Sequence, residues 1–239
     1  MTNFDEDIAR ARSFYTARAG DPDLAKAYSA FEPDALYTVQ SREWATASLL
    51  RRSGIPSLAN MDILDVGCGT GGEMRRMTVY GADPARLVGI DVTPIRIEEA
   101  KRALPMMRFE LGSAHAMPFP DASFDLITQF VTLCSVTHPG LRTAIATEML
   151  RVLRPTGVIL SYDICKLLPN PDLVPIDLAE LRRLFPGCAI TTRMLTLKWN
   201  LNRRVVPRSR IAASILERLP GTRNHYLALI RPIAAGAKG

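Results

Sequence analysis

A chain of 239 residues, 47% hydrophobic and 23% charged with a net charge of +6, has material for one large domain or a core with an elaborated cap. No run approaches the roughly 18 apolar residues of a membrane span, and the acidic start from Met1 to Asp7 lacks the basic-then-apolar pattern of a secretion signal. Cys68, Cys134, Cys165 and Cys188 are widely spaced with no C-x-x-C pair, which argues against a metal site or a disulfide framework and fits a cytoplasmic protein with reduced thiols.

Residues 3–53 read as helix. Ile8, Ala11, Phe14 and Tyr15 fall at helical spacing, Gly20-Asp21-Pro22 breaks the first segment, and Pro33 can open the next at its first turn. Leu36, Val39, Trp44 and Ala47 continue a broken apolar stripe until Gly54, behind the basic Arg51 and Arg52. Such a lead-in, residues 1–58, is expected to be a helical lid over a nucleotide-type site built by residues 59–239. From Met61 strand and helix alternate: strand Met61–Val66, helix 70–80, strand Arg86–Asp91, helix Pro94–Ala103, strand Met106–Leu111, strand Phe124–Phe130, helix Leu141–Leu153 and strand Gly157–Tyr162. Repeated βα units imply right-handed crossovers and a doubly wound α/β sheet with helices on both faces. After Asp163 come a Pro-rich loop, a helix near Leu178–Phe185, a strand Cys188–Leu197, a helix near Ser209–Leu219 and a last strand His225–Arg231, giving seven strands. Arg193, Lys198, Arg203, Arg204, Arg208 and Arg210 concentrate positive charge in this late stretch. It reads first as a solvated face and second as the footprint of a phosphate- or carboxylate-bearing substrate. Aromatic residues are too sparsely interleaved with it for nucleic acid.

The chemistry is concentrated between Met61 and Gly72, where an apolar strand carrying Asp65 runs into Gly67-Cys68-Gly69-Thr70-Gly71-Gly72 and then a helix. Residues without Cβ let a ligand approach the backbone. Gly67, Gly69 and Gly72 also satisfy G-x-G-x-x-G, so an NAD-type oxidoreductase is an alternative, and Asp91 at the end of the second strand could bind ribose hydroxyls in either case. Asp65 stands where a dinucleotide site usually has an apolar or small residue, and its anion would repel a pyrophosphate. Leu64-Asp65-Val66-Gly67-Cys68-Gly69-Thr70-Gly71, Gly89-Ile90-Asp91-Val92, Met117-Pro118-Phe119, Ser123-Phe124-Asp125 and Arg151-Val152-Leu153-Arg154-Pro155-Thr156-Gly157 follow one another in this order. Together they resemble the class I S-adenosylmethionine-dependent methyltransferases of small-molecule type, most closely from Met61 to Asp163.

The resemblance implies a Rossmann-like, mostly parallel seven-stranded sheet whose last strand is antiparallel. It implies S-adenosylmethionine as donor, held by Asp65, Gly67, Cys68, Gly69 and Thr70 at the methionine end, by Asp91 and Val92 at the ribose and adenine face, and by Gln129 and Phe130 at the end of the fourth strand. The family commonly has an acid after the third strand to accept from the adenine amino group; here Ser113 stands there, with the Ala114 backbone beside it. Arg42 could reach the methionine carboxylate from the lid. Methyl transfer is an in-line displacement, so the protein mainly aligns the groups and removes a proton where an oxygen is methylated. His138, His225 and Tyr162 are the candidates for that proton, all expected at the carboxyl edge of the sheet; His115 lies nearer the adenine end and Asp163 ends the fifth strand. Thr128-Gln129-Phe130-Val131 lacks the acceptor-proline pair of nucleobase N-methyltransferases, which leaves a small-molecule acceptor, anionic or neutral: a sugar or glycan hydroxyl, a polyketide or phenol, or a quinone precursor. A C- or N-methyltransferase of a metabolite and a non-catalytic cofactor-binding module remain alternatives.

Overall fold

The computed structural model describes residues 3–166, 170 and 172–233. Three helices lead: α1 (Asn3–Ala17), α2 (Pro22–Ala27) and α3 (Pro33–Arg52). The breaks between them have local causes. Gly20 adopts a φ of +79°, the Asp21 carboxylate caps α2 through the N–H groups of Asp23 and Leu24, and prolines open both α2 and α3. Of the three, α3 packs into the body of the protein, burying Ala45, Leu49 and Leu50 with Leu58 and Ile63.

The sheet follows as β1 (Ile63–Val66), β2 (Leu87–Asp91), β3 (Arg108–Leu111), β4 (Phe124–Phe130), β5 (Leu153–Ile164), β6 (Cys188–Leu197) and β7 (Arg223–Pro232). Between them run α4 (Gly72–Val79), α5 (Pro94–Ala103), α6 (Pro139–Val152), α7 (Leu178–Leu184), α8 (Trp199–Val205) and α9 (Arg210–Leu216). The strand order is β3-β2-β1-β4-β5-β7-β6. Only β7 runs against its neighbours, antiparallel to both β5 and β6. The chain winds outward in both directions from the β1–β4 pair, and ligands bind at such a switch point, beyond the carboxyl ends of the strands. All four residues of β1 are buried, as a central strand covered on both faces requires.

Two differences from the sequence reading have physical reasons. β5 begins at Leu153, directly on the end of α6, because Arg154 is held there by Asp125 and Asp62 at 2.5 and 2.8 Å. The expected boundary at Pro155-Thr156 marks the irregularity in register between Phe124 and Leu126 instead. The helix α8 was not foreseen: its N-cap position, Lys198, has no capping side chain to announce it. The Pro-rich loop after β5 lies partly outside the described residues.

Two apolar layers sandwich the sheet, one with Leu133, Ile145 and Met149 on the α6 side, the other with Leu50, Met77 and Leu126 on the α3 and α4 side. On that second side β2 passes closely under the glycine loop. A Cβ on Gly89 would lie 2.7 Å from both Cys68 Sγ and Met74 Sδ. Gly89→Ala is expected to cost ~1–3 kcal/mol through overpacking, read as a lowered urea midpoint at unchanged m-value; a midpoint equal to the parent's would refute this account of the contact.

Candidate cofactor cavity

The glycine loop is fixed from both sides. Gly67 N–H and Cys68 N–H donate to Ile90 O at 2.8 and 3.1 Å, and Gly69 N–H donates to the Asp91 carboxylate at 3.0 Å. On the other flank Thr132 Oγ1 donates to Val66 O at 2.9 Å, and a Cβ on Gly67 would fall 2.3 Å from that same oxygen. Gly67, Gly69 and Gly71 all have positive φ, so the path is one that residues with a Cβ avoid.

The turn after β4 is equally constrained. Val131, a β-branched residue, has a φ of +60°. Its N–H donates to Tyr162 O at 2.8 Å, and Gln129 Oε1 accepts from Thr132 and Leu133 N–H at 3.2 and 3.3 Å. Gln129 is fully buried and its amide donates to Ser161 Oγ. It therefore acts one layer behind the ligand surface rather than on it.

Between these two turns and α1 lies a cavity of about 370 Å³. Gly67, Asp91, Val92, Ser113, Ala114 and Phe130 line it, six of the residues expected to touch a cofactor. Asp91 is nearly buried, and each carboxylate oxygen takes one backbone N–H, from Gly69 and from Thr93, leaving lone pairs free toward the cavity. Ser113 Oγ is hydrogen-bonded to His115 Nδ1 at 2.7 Å.

Others are placed elsewhere. Thr70 is exposed beyond the loop, and the Cys68 thiol turns into the core, where burial raises its pKa and keeps it a thiol. Asp65 lies behind the loop, accepting from Thr128 Oγ1 at 2.7 Å. Burial, with the nearby charges of Glu73 and Asp91, outweighs that hydrogen bond and raises its carboxyl from the usual 3.8 to about 7.

The three candidate proton acceptors are not brought together on the cavity, contrary to the sequence expectation. His138 is the N-cap of α6, its Nδ1 accepting from Leu141 N–H at 3.2 Å, with Phe4 packed edge-on against its ring. Pro139 at the first helical position was the sequence signal for that role. Tyr162 is buried, hydrogen-bonded to Thr196 Oγ1 at 2.7 Å, and burial raises its pKa to about 12. His225 stacks on Tyr162 with ring centroids 4.9 Å apart, and burial together with the Arg42 charge lowers its pKa to about 4. Arg42 lies over the Phe130 and Tyr162 rings and pairs with Glu73. The group is a plug under α3, beside the cavity.

Ile8, Ala11, Phe14 and Tyr15 of α1, the residues at helical spacing in the sequence, line the cavity with Asp7 and with Arg18 just beyond the helix; what sequence reading missed is the polar set that holds this face. Asp7 accepts from Thr137 Oγ1 and His138 N–H at 2.5 and 3.1 Å, Arg10 donates to Ser135 O at 2.6 Å, and Arg12 donates to Val92 O at 3.0 Å. Tyr15 Oη shares a hydrogen bond with Ser135 Oγ, and Arg96 lies 4.2 Å over the Tyr15 ring. Burial by itself would raise the Asp7 carboxyl, but the hydrogen bonds from Thr137, His138 and Arg10 prevail and hold it below the usual range. The helical period marks that face, but the partners of its polar side chains are remote in sequence.

Residues 63–157 match the family model described as a methyltransferase domain. The 27-O-demethylrifamycin SV methyltransferase of Amycolatopsis mediterranei is 32% identical over 153 residues, covering 61% of this chain and 54% of the relative. The 2-methyl-6-phytyl-1,4-hydroquinone methyltransferase of Synechocystis is 29% identical over 149 residues, covering 60% and 42%. The chain thus spans about half the length of these curated relatives. Among solved structures, magnesium protoporphyrin IX methyltransferase from Synechocystis with bound SAM is 14% identical with a TM-score of 0.64 over 94% of this chain and 97% of that one, a likeness of fold.

The raised carboxyl of Asp65 has a consequence for stability. The folded chain binds this proton more tightly than the unfolded chain, so the group's contribution is fully present below pH ~4 and declines as pH rises toward ~7. Asp65→Asn is expected to flatten the fall in melting temperature across that window, with Asp163, raised by burial to about 6, retaining a smaller decline of the same sign. An unchanged pH profile in the variant would show that Asp65 is ionised throughout.

Proposed function

We propose, from the membership of residues 63–157 in the class I S-adenosylmethionine-dependent methyltransferases, that this chain transfers a methyl group to a hydroxyl oxygen of a small-molecule acceptor. The observation that carries the reading is the lidded cavity at the β1–β4 switch point, with Asp91, Ser113 and Ala114 at one side and the glycine loop at another.

The residues present fit the family's cofactor, S-adenosylmethionine. Gly67 leaves room that a side chain would fill against Thr132. Asp91 would accept from the two ribose hydroxyls with the lone pairs its backbone partners leave. Val92, Ser113 and Ala114 would face the adenine, and Phe130 the methionine end. A bound ammonium would draw the buried Asp65 carboxyl, one layer behind Gly67, toward its ionised form, and Arg42 would meet the carboxylate on leaving Glu73. When bound, the cofactor supplies a methyl carbon already activated by its sulfonium. The protein's task is then alignment and exclusion of water, which α1 performs by closing the cavity through Asp7, Arg10, Arg12 and Tyr15. The apolar lining from Ile8, Phe14, Leu24 and Leu173 suits an acceptor with a hydrophobic body. The relatives are named for transfer to oxygen in one case and for a hydroquinone acceptor in the other, so carbon is the second acceptor atom to consider.

The deciding experiment incubates purified protein with S-adenosylmethionine and a panel of phenols, macrolide and sugar hydroxyls and quinols, read by mass and then by the methyl carbon shift. A product methylated on oxygen supports the reading; one methylated on carbon replaces its finer part. Transfer to no acceptor while S-adenosylhomocysteine still binds points to a non-catalytic module, and a rise in melting temperature with NADH but not with S-adenosylhomocysteine overturns the reading.

Asp91→Ala is expected to weaken S-adenosylhomocysteine by ~1.5–3 kcal/mol, on the order of 10- to 100-fold, as loss of hydrogen bonds to a charged group does; calorimetry reads this directly, and parent-like affinity would remove Asp91 from the site. Asp7→Ala releases α1 and should raise the dissociation rate of the same ligand several-fold, measured by stopped-flow, whereas an unaltered rate would mean that α1 does not close the cavity.

A further inference from the structure

The late basic stretch takes no part in the cofactor cavity; its side chains are exposed, and two of them, Arg193 and Arg210, border a groove. Arg193 of β6, Arg210 of α9, Arg218 just beyond α9 and Arg223 at the start of β7 converge on one groove of about 420 Å³ beside Trp44 of α3. Among the described residues the sole carboxylate on that groove, Glu217, is already committed: Tyr37 Oη donates to one oxygen at 2.8 Å and Thr196 N–H to the other at 2.9 Å. Four guanidinium groups against one carboxylate leave a local charge of +3, from 4 − 1.

Acids are not scarce in this protein, since Arg10, Arg42, Arg76, Arg151 and Arg154 each pair with one or two. Among the described residues none of the four groove arginines has an ion-pair partner. Their contacts are with neutral groups instead. Arg193 lies over the Trp44 ring at 4.8 Å, Arg210 donates to Gln40 Oε1 at 2.6 Å, and Arg223 donates to Met194 O at 3.4 Å. Each contact fixes a planar fork while leaving its charge unmatched. Like charges gathered around one concavity repel, and an oxyanion with several acceptor oxygens relieves that repulsion through bidentate hydrogen bonds.

The groove also touches the plug beside the cofactor cavity. Thr196, a β-branched residue with a φ of +61°, receives Glu217 at its N–H and Tyr162 at its hydroxyl. Strain of this kind persists where surrounding contacts over-determine it. Glu217, Thr196 and Tyr162 thus connect the groove to His225 and Arg42 in one chain of contacts.

We propose that the groove between α3, β6 and α9 is a binding site for a phosphate-bearing ligand, held by Arg193, Arg210, Arg218 and Arg223 against Trp44. It lies apart from the cofactor cavity and does not depend on the methyl-transfer reading. Two sources share this chemistry, a soluble phosphoester and a phospholipid headgroup; the exposed Ile211 and Ile215 on α9 keep the second in play.

The protein has two tryptophans, so Trp199→Phe leaves Trp44 as the reporter. Pyrophosphate titrated into that protein at low salt should change its fluorescence saturably. Arg193→Gln combined with Arg223→Gln should weaken the binding at least ~10-fold, by analogy with other charge-assisted hydrogen bonds. Arg210→Gln, at an exposed side chain, provides a second variant if the double one loses its cooperative melt. In a parallel arm, co-sedimentation with phosphatidylglycerol vesicles but not phosphatidylcholine vesicles, lost in the same variants, assigns the ligand to a lipid headgroup. Saturable pyrophosphate binding without vesicle binding assigns it to a soluble phosphoester. Absence of both, or binding that the arginine variants leave unchanged, overturns the proposal.

Discussion

The structure depends on one close approach, that of Thr132 to Gly67. The loop after β1 and the turn after β4 meet so tightly that no side chain fits at Gly67, while Thr132 Oγ1 satisfies the Val66 carbonyl at the end of the strand. Asp91 fastens the other side of the loop through Gly69 N–H. Three strand ends are thereby locked at the switch point of the sheet. The strained Val131 and the buried Gln129 behind it hold the β4 turn in the only position that lets this happen. A cavity with one open side results, and the backbone itself forms its floor.

That open side is covered by α1, through the apolar Phe4, Ile8, Ala11 and Phe14 and through a set of polar contacts beside them. Asp7, Arg10, Arg12 and Tyr15 reach the loops after β2 and β4, two segments that the glycine loop already fixes relative to each other. Hydrogen bonds near water exchange at modest net cost, so a helix held in this way can lift without unfolding the core. By contrast α3 buries Leu49 and Leu50 with the sheet and is part of the rigid body. The helical N-terminus therefore contains two kinds of element, α3 packed on the sheet and α1 lying over the cavity.

Charge is distributed in the same spirit. On the cavity side the lining sets Asp7 and Asp91 against Arg18 and Arg96, and behind it Asp65 and Asp163, near the ends of β1 and β5, are buried with raised carboxyls. Across the plug of Arg42, Phe130, Tyr162 and His225 lies the basic groove. The plug's stacked rings lie between the cavity and the groove, and its hydrogen bond to Thr196 joins it to the groove's Glu217.

The sequence by itself determined the seven strands, the helices between the first five of them, the glycine loop, and the acid at the end of β2. These are local patterns: an apolar run into glycines that need positive φ, and an acid at a strand end, are written within a dozen residues of each other. It also determined the single antiparallel strand, through the resemblance carried by those motifs. Tertiary structure decided which side chains meet. His138 lies in a Pro-led loop that reads equally as a helix cap or as an active-edge residue, and only the packed α6 selects the cap. Gln129 and Phe130 are adjacent in sequence, but the pleat of β4 buries one behind the turn and turns the other to the cavity. Of the basic stretch legible in the sequence only Arg193 and Arg210 reach the groove at Trp44, where Arg218 and Arg223 join them because β7 inserts between β5 and β6. Local periodicity can place a residue on an element; which elements face each other is settled by burial of the whole chain.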